Sequence, residues 1–282
     1  MELEILARAK VNLTLDILGV RQDGYHEVAM VMQEVGLADK LRFCKIPAGI
    51  KLTVENSDLP ADSSNLAYKA AELMQGQGAG GVEIVLEKNI PLAAGLAGGS
   101  SDAAAVLKGV NQLYKLGLSM DKLAELGATI GSDIPFCIYG KTMLATGRGE
   151  ILTPLPAFPK SYFILAKPPL SISTAWAYRK FDSNFKGEHP DNKAMQNALA
   201  NGDYQAAIKQ MQNVLEDVSI KEYPLIQEYK DLMLGLGADF AMMSGSGPTV
   251  FGLARTKEQA DKVYQGLLAK GVPELFLTEG GE

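Results

Sequence analysis

The chain has 282 residues, and 47% of them are hydrophobic, which is enough to bury the core of one large domain or of two ordinary ones. Its formal net charge of −6 comes without a dense basic block, which argues against a nucleic-acid partner. The two cysteines, Cys44 and Cys137, form no C-x-x-C pair, and the sequence shows neither an apolar run of about 18 residues nor a signal-peptide pattern. We therefore expect a soluble cytoplasmic protein that has no membrane partner, disulfide framework or zinc site.

Apolar residues alternate with polar ones from Leu3 to Ile17, which predicts a strand. Lys10 and Asn12 fall on the polar face of that strand, where charged side chains are ordinarily solvated. A turn over 22–24 follows. The pattern then predicts strands over 28–37, 41–46 and 50–54, a helix over 65–74, a strand over 82–86, and helices over 103–114 and 120–130, the last with Ser119 as its N-cap.

Three prolines between residues 154 and 159 mark a candidate boundary between domains 1–157 and 158–282. Beyond it, Trp176 has helical spacing and is expected in the core, and a Thr256-x-x-Gln259 capping box opens a helix that Gly271 ends. The other predicted elements are a strand over 162–167, helices over 174–181, 192–200, 204–215 and 225–234, two short strands around a turn at 244–248, and a strand over 275–277. Helices on an antiparallel sheet indicate the α+β class.

A glycine-rich segment lies between the strand at 82–86 and the helix at 103–114, where a loop would meet a helix N-terminus. Free N–H groups and the helix dipole make such a junction a natural anion site. The order Gly95-x-x-Gly98-Gly99, with no lysine after it, matches neither the P-loop nor the dinucleotide fingerprint. The alternative is a tight turn followed by a serine N-cap. The candidate anion-binding residues are Pro91, Leu92, Ala93, Ala94, Gly95, Leu96, Ala97, Gly98, Gly99, Ser100 and Ser101.

Three further clusters have both an ordinary and a functional interpretation. Asp133 precedes a strongly apolar segment, so it is either a turn residue or a partly desolvated base. The residues 244–249 form either a hairpin turn or an anion site made of backbone N–H groups. Tyr25 and His26 form either an exposed turn pair or a stacking face with a hydrogen-bonding edge for a base.

Lys10-Val11-Asn12, the segment 91–105 and the segment 244–249 resemble, in this order, the three signature motifs of the GHMP kinases, which include galactokinase, homoserine kinase and mevalonate kinase. The segments 21–26 and 131–136 resemble the branch that phosphorylates 4-diphosphocytidyl-2-C-methyl-D-erythritol in non-mevalonate isoprenoid biosynthesis. The resemblance covers nearly the full chain. It implies a two-domain α+β fold, with an N-terminal domain like domain 2 of ribosomal protein S5 and a ferredoxin-like C-terminal domain.

The resemblance also implies an ATP-dependent kinase that uses Mg²⁺, with unassigned metal ligands, and acts as a monomer or weak homodimer on the 2-hydroxyl of that substrate. It implies that Asp133 is the general base with Lys10 as its partner, and that Asn65 joins the glycine-rich segment in binding ATP. The implied substrate-binding residues are Asn12, Tyr25, His26, Tyr178, Ser246 and Gly247.

Two alternatives remain open at this point. One is another small-molecule kinase of the superfamily, of the homoserine or mevalonate type, for which the Tyr25-His26 pair has no obvious use. The other is a non-catalytic nucleotide-binding regulator with the same fold, because fold alone does not fix function. A phosphoryl-transfer assay with a panel of acceptors separates all three.

Overall fold

The computed structural model describes residues 3–280, apart from the side chain of Asn184. Its chain divides into two compact units that interleave along the sequence. Unit 1 comprises the segment that ends at Ala9 together with Leu37–Ile90 and Ala97–Gly140, and unit 2 comprises Lys10–Gly36, Pro91–Leu96 and the chain from Lys141 onward. The domain boundary at residue 157, which follows sequence order, stays a prediction.

Eleven strands and ten helices form within the described residues. The strands are β1 Leu3–Val20, β2 His26–Ile46, β3 Ile50–Glu55, β4 Gly81–Glu87, β5 Thr142–Thr146, β6 Ile151–Pro154, β7 Ser161–Lys167, β8 Gln212–Asn213, β9 Phe240–Met243, β10 Val250–Ala254 and β11 Glu274–Gly280. The helices are α1 Leu66–Gln75, α2 Gly98–Tyr114, α3 Met120–Ala128, α4 Ile134–Tyr139, α5 Thr174–Asn184, α6 Asn192–Ala200, α7 Tyr204–Gln210, α8 Glu216–Glu222, α9 Leu225–Leu236 and α10 Lys257–Ala269.

Unit 1 packs helices on a small sheet. Strand β4 pairs antiparallel with the end of β2, from Lys40 opposite Glu87 to Ile46 opposite Gly81, and parallel with β3. Helix α2 packs against α1, α3 and α4. Its small residues Ala103, Ala104 and Ala105 are buried, so neighbouring helices can approach α2 closely.

Unit 2 is built on the antiparallel order β11-β7-β10-β9, against which α9 and α10 pack. Strand β5 pairs with β2 and β6, and β8 pairs parallel with β1 at Thr14 opposite Gln212. The α+β class is therefore confirmed. Among residues 3–280 no helix combines the length and the apolar character that crossing a bilayer would need.

Several predicted elements have different bounds in the structure. The strands predicted over 28–37 and 41–46 are one strand, β2, since Asp39 is buried within it as a hydrogen-bond acceptor instead of ending it. The helix predicted over 204–215 ends at Gln210, and the short helices α4 and α8 were not predicted. Trp176 is half-buried, with its ring 5.4 Å from that of Tyr223, so its expected place in the core was wrong.

Candidate active site

Strand β1 is buried on both faces where it carries the candidate lysine, so the interpretation of a solvated face was wrong. Lys10 is 5% exposed and Asn12 is 1% exposed. The Lys10 ammonium donates to Asn12 Oδ1 at 2.6 Å and to the Gly95 carbonyl oxygen at 3.4 Å, while the Lys10 backbone N–H donates to the Leu96 carbonyl at 3.1 Å. Unit 2 thus holds a buried cation directly against the first half of the glycine-rich loop.

The loop segment 91–96 is also hydrogen-bonded to the turn at 244–249. Ser244 Oγ donates to the Gly95 carbonyl oxygen at 3.0 Å, and the Thr249 N–H donates to the Ala94 carbonyl oxygen at 3.4 Å. Three sequence-predicted pieces of unit 2, namely β1 at Lys10, this loop segment and this turn, therefore form one contiguous cluster.

Glycine is required where the loop and the turn meet. Gly95 has φ +74°, and a Cβ there would collide with the Ser244 carbonyl oxygen and lie 3.1 Å from the Gly247 nitrogen. Gly245 has φ +59°, and a Cβ on it would lie 3.1 Å from the Gly95 oxygen and 3.5 Å from Lys10 Nζ. The left-handed backbone and the close approach both favour the residue without a side chain.

Asn213 holds the turn in place, and it was not among the residues predicted from the sequence. Its Nδ2 donates to the Met243 and Gly245 carbonyl oxygens at 2.9 and 2.8 Å, and its Oδ1 accepts from the Leu215 N–H. Residue 213 was predicted inside a helix, but it lies in β8 and is buried. No local pattern marks it, because its partners lie far away in sequence.

The second half of the glycine-rich loop opens helix α2 of unit 1. Ala97 is the N-cap in a left-handed conformation, with φ 58°, and no side chain caps the first turn. Gly98 is the first helical residue, so Ser100 and Ser101 lie inside the helix, and the serine N-cap interpretation was wrong. Backbone N–H groups in the first turn remain open to an anion.

Ser101 differs from its neighbour Ser100 in what its hydroxyl does. Ser101 is 2% exposed and its Oγ donates to the Arg8 carbonyl oxygen at 2.5 Å, whereas Ser100 is half-buried. Because the Ser101 proton is already donated, this residue fixes α2 to β1 within unit 1. Its predicted phosphate contact stays a prediction.

Asp133 is the N-cap residue of the short helix α4 and makes no side-chain capping bond. It is half-buried, and the five residues that follow it, from Ile134 to Ile138, are all buried. The carboxylate therefore lies at the edge of an apolar segment, as the sequence indicated. Asn65, the predicted ATP contact, is the N-cap of α1, where its Oδ1 accepts from the Ala67 N–H at 2.9 Å.

An aromatic corner forms in unit 2 between the turn before β2 and helix α5. The ring of His26 lies 4.7 Å from that of Tyr178, and its Nε2 lies 2.9 Å from Asp182 Oδ1. Tyr25 is 54% exposed, and the Arg148 guanidinium lies 5.0 Å from its ring centroid. Asp182 and Arg148 were not predicted. Residues four apart lie on the same face of a helix, so the sequence does place Asp182 beside Tyr178.

The remaining predicted substrate contacts lie in the 244–249 turn. Ser246 Oγ lies 3.0 Å from Thr174 Oγ1 at the start of α5, so the turn is linked to the helix that carries Tyr178. Gly247 has φ +82°, and a Cβ there would press on Met243 Sδ. The cluster of Lys10, the loop segment 91–96 and the 244–249 turn is therefore linked to the aromatic corner through helix α5.

The sequence matches the family model of the GHMP kinases N terminal domain over residues 65–141 and that of the GHMP kinases C terminal over residues 195–273. A 4-diphosphocytidyl-2-C-methyl-D-erythritol kinase of Geobacillus kaustophilus (strain HTA426) is 50% identical over 271 residues, covering 95% of this chain and 93% of the relative. One of Macrococcus caseolyticus (strain JCSC5402) is 52% identical over 264 residues, covering 93% of both chains.

A solved structure gives the same result. The crystal structure of a 4-(cytidine 5'-diphospho)-2C-methyl-D-erythritol kinase is 35% identical, superposes with a TM-score of 0.85, and covers 99% of this chain and 100% of that one. These matches confirm the resemblance inferred from the motifs. This chain belongs to the 4-diphosphocytidyl-2-C-methyl-D-erythritol kinases, a family within the GHMP kinases.

Proposed function

We propose that this kinase transfers the γ-phosphoryl group of ATP to the 2-hydroxyl of 4-diphosphocytidyl-2-C-methyl-D-erythritol. The relatives' names supply the substrate. The observation that carries the proposal is the buried Lys10 ammonium, bonded to Asn12 Oδ1 and to the Gly95 carbonyl oxygen. A buried cation at a glycine-rich loop suits a reaction that develops negative charge on phosphate oxygens.

ATP binding is assigned to the glycine-rich loop. The uncapped first turn of α2 presents the N–H groups of Gly98, Gly99 and Ser100, and the helix dipole favours negative charge at this end. Ser101 supports this turn from behind through its bond to Arg8. The loop thus acts on phosphate chiefly through its backbone, which explains the need for small residues there.

Asp133 is assigned as the general base, because a neutral alcohol is a poor nucleophile near pH 7. Its carboxylate takes the hydroxyl proton, the hydroxyl oxygen bonds to the γ-phosphorus, and the bond from that phosphorus to the β,γ-bridging oxygen breaks, so that ADP leaves with the electron pair. A positioned base commonly contributes about 10²–10⁴-fold in rate. Lys10 is assigned to stabilise the developing charge and Asn12 to orient the substrate. The pairing of Lys10 with Asp133 stays a prediction.

The cytosine ring is assigned to the aromatic corner. Tyr25 and Tyr178 offer faces for stacking, and His26 offers a polar edge whose Nε2 is held by Asp182. Exposed aromatic rings recognise a base through stacking and hydrogen bonds together. Ser246 and Gly247 are assigned to the substrate because their turn adjoins both this corner and the loop.

Magnesium ordinarily accompanies ATP and would neutralise charge on its phosphates. Among residues 3–280, no three His, Cys, Asp or Glu side chains gather into a group that could hold a metal ion. The residues therefore do not define a ligand set of their own for Mg²⁺, and none is assigned.

The test is a phosphoryl-transfer assay that follows ADP release with Mg-ATP and three acceptors. The expected result is turnover with the cytidine-diphosphate-linked methylerythritol and little with homoserine or mevalonate. A preference for either small acceptor would contradict the assigned substrate. Binding of ATP and of the cytidine substrate without turnover would indicate the non-catalytic regulator.

A further inference from the structure

Three buried ionisable residues of unit 1 form a cluster that has no role in the proposed phosphoryl transfer. The Lys88 ammonium contacts Asp39 Oδ2 and donates to Asp102 Oδ2 at 2.7 Å. The side chains of Lys88, Asp39 and Asp102 are 3%, 0% and 2% exposed, so water does not screen them. One ammonium thus faces two carboxyl groups in a dry environment, where an uncompensated charge is very costly.

The two carboxyl groups have unequal partners. Asp39 Oδ1 accepts the backbone N–H groups of Asn89 and Ile90 at 2.5 and 2.8 Å, while its Oδ2 accepts from the ammonium, and three donors stabilise an ionised carboxylate strongly. Asp102 Oδ1 is buried and has no hydrogen-bond partner among residues 3–280. Asp39 is therefore the carboxyl group that the fold stabilises as an anion.

The ionisable groups around Asp102 decide whether a second negative charge is balanced there. The ionisable groups that act on Asp102 are Lys88, after β4, and Asp39, in β2. Among the described residues, a further ionisable group on a buried face packed against α2 is the Cys137 thiol of α4, which lies 3.3 Å from Ser101 Oγ. The buried residues of α1 and α3 are not ionisable. They are Ala67, Ala70, Ala71 and Met74 in α1 and Leu123, Ala124 and Gly127 in α3. Burial raises the pKa of Asp102 to about 8, Lys88 opposes the rise, and Asp39 adds to it.

The cluster joins the two chain segments that flank the glycine-rich loop. Asn89 and Ile90, held by Asp39, directly precede Pro91, where the loop begins. On the far side, Asp102 lies in the second turn of α2, and a Cβ on Gly98 would lie 3.5 Å from Lys88 Nζ. The cluster therefore fixes the distance between the start of the loop and the helix that follows it.

We propose that Asp39, Lys88 and Asp102 are positioning residues for the ATP loop, and that the cluster works with Asp39 ionised and Asp102 neutral, so that it carries no net charge at pH 7. Ionisation of Asp102 would place two carboxylates on one ammonium and push α2 away from the start of the loop. The placement of the proton on Asp102 and not on Asp39, which we call the proton assignment, does not depend on the activity. The effect on ATP binding rests on the proposed function.

The first test compares the unfolding of the wild-type protein and Asp102→Asn in urea from pH 5 to pH 9. Because the folded pKa of Asp102 exceeds the unfolded value of about 3.9, the wild-type protein takes up a proton on folding and loses stability as pH rises to about 8. The amide in Asp102→Asn mimics the neutral carboxyl group, so the stability of this variant should lack the fall with rising pH that Asp102 causes. The ratio of the two unfolding equilibrium constants should change by about tenfold per pH unit below pH 8 and then level off.

Asp39→Asn is the matched control, because it makes the same chemical change on the other carboxyl group of the same ammonium. It removes charge-assisted bonds and should lower stability and raise the KM for ATP at least about tenfold. If Asp39→Asn does not fold, that result counts as the expected loss of stability, because Asp102→Asn is expected to fold. Equal damage from the two changes, or parallel pH curves for the wild-type protein and Asp102→Asn, would overturn the proton assignment.

The second test measures the KM for ATP from pH 7 to pH 9. At pH 7 the value for Asp102→Asn should lie within about twofold of wild type, and the wild-type value should then rise relative to the variant as Asp102 ionises. A constant ratio across this range would overturn the positioning role. An inactive protein that still shows the expected unfolding curves would refute the proposed function and leave the proton assignment standing.

Discussion

Replacement of Gly95 by alanine tests whether the contact between the glycine-rich loop and the 244–249 turn determines ATP use. Gly95 has φ +74°, so an alanine at this position must adopt the left-handed conformation, which costs about 1–2 kcal/mol. The new Cβ would also collide with the Ser244 carbonyl oxygen, which belongs to backbone and cannot rotate away. The loop must therefore move away from the turn.

The size of the effect follows from the bonds that this movement breaks. The loop would lose the bonds from Ser244 Oγ and Lys10 Nζ to the Gly95 oxygen and the bond from the Thr249 N–H to Ala94. At about 1 kcal/mol each, these bonds are worth about 3 kcal/mol together. That free energy corresponds to about a 10²-fold fall in kcat/KM for ATP.

Gly271→Ala is the control for the backbone cost alone. Gly271 has φ +78°, almost the value of Gly95, and a Cβ on it would have no atom within 4 Å. Steady-state kinetics with varied ATP should show kcat/KM within about twofold of wild type for Gly271→Ala, since that change costs only backbone strain. Similar kinetics for the two variants would refute the argument that the loop–turn contact sets ATP use.

Further changes test the aromatic corner and one buried hydroxyl. Tyr25→Ala and His26→Ala should raise the KM for the cytidine substrate about tenfold or more, because stacking on a base is worth about 1–3 kcal/mol. Their KM for ATP should stay near wild type, and equal changes for both substrates would count against a cytosine site. Tyr204→Phe removes the 2.9 Å bond to Asp239 Oδ2 and should lower the free energy of unfolding in urea by about 1 kcal/mol with kcat unchanged. Unchanged stability would show that this bond contributes nothing net.

Strand β1 could be predicted from the sequence, but the burial of its polar face could not. Its period-two alternation predicted the strand and assigned Lys10 and Asn12 to the same face. Alternation does not reveal what covers the second face, however, and that face is covered in part by the loop at 91–96, which is distant in sequence. The solvated-face interpretation failed for that reason.

Other residues were missed because their partners are not local. Asp39 lies between the two strands predicted over 28–37 and 41–46, and only the fold supplies Lys88 and two backbone donors as its partners. Asn213 likewise gains its role from the 244–249 turn. Helix starts were predictable where a side chain caps them, as with Ser119, and were misplaced at Gly98, where the cap is a left-handed alanine.

The proposed phosphoryl transfer requires Asp133 to take the proton from the substrate hydroxyl. The most direct measurement is kcat with Mg-ATP and the cytidine-diphosphate-linked methylerythritol for wild type and Asp133→Asn, with ATP affinity measured separately. Asp121→Asn, a change of an exposed carboxyl group on α3, is the control. We expect kcat to fall at least about 10²-fold for Asp133→Asn while ATP affinity is kept, because the amide cannot accept the proton. A variant that keeps more than about a tenth of the wild-type kcat would contradict the assignment.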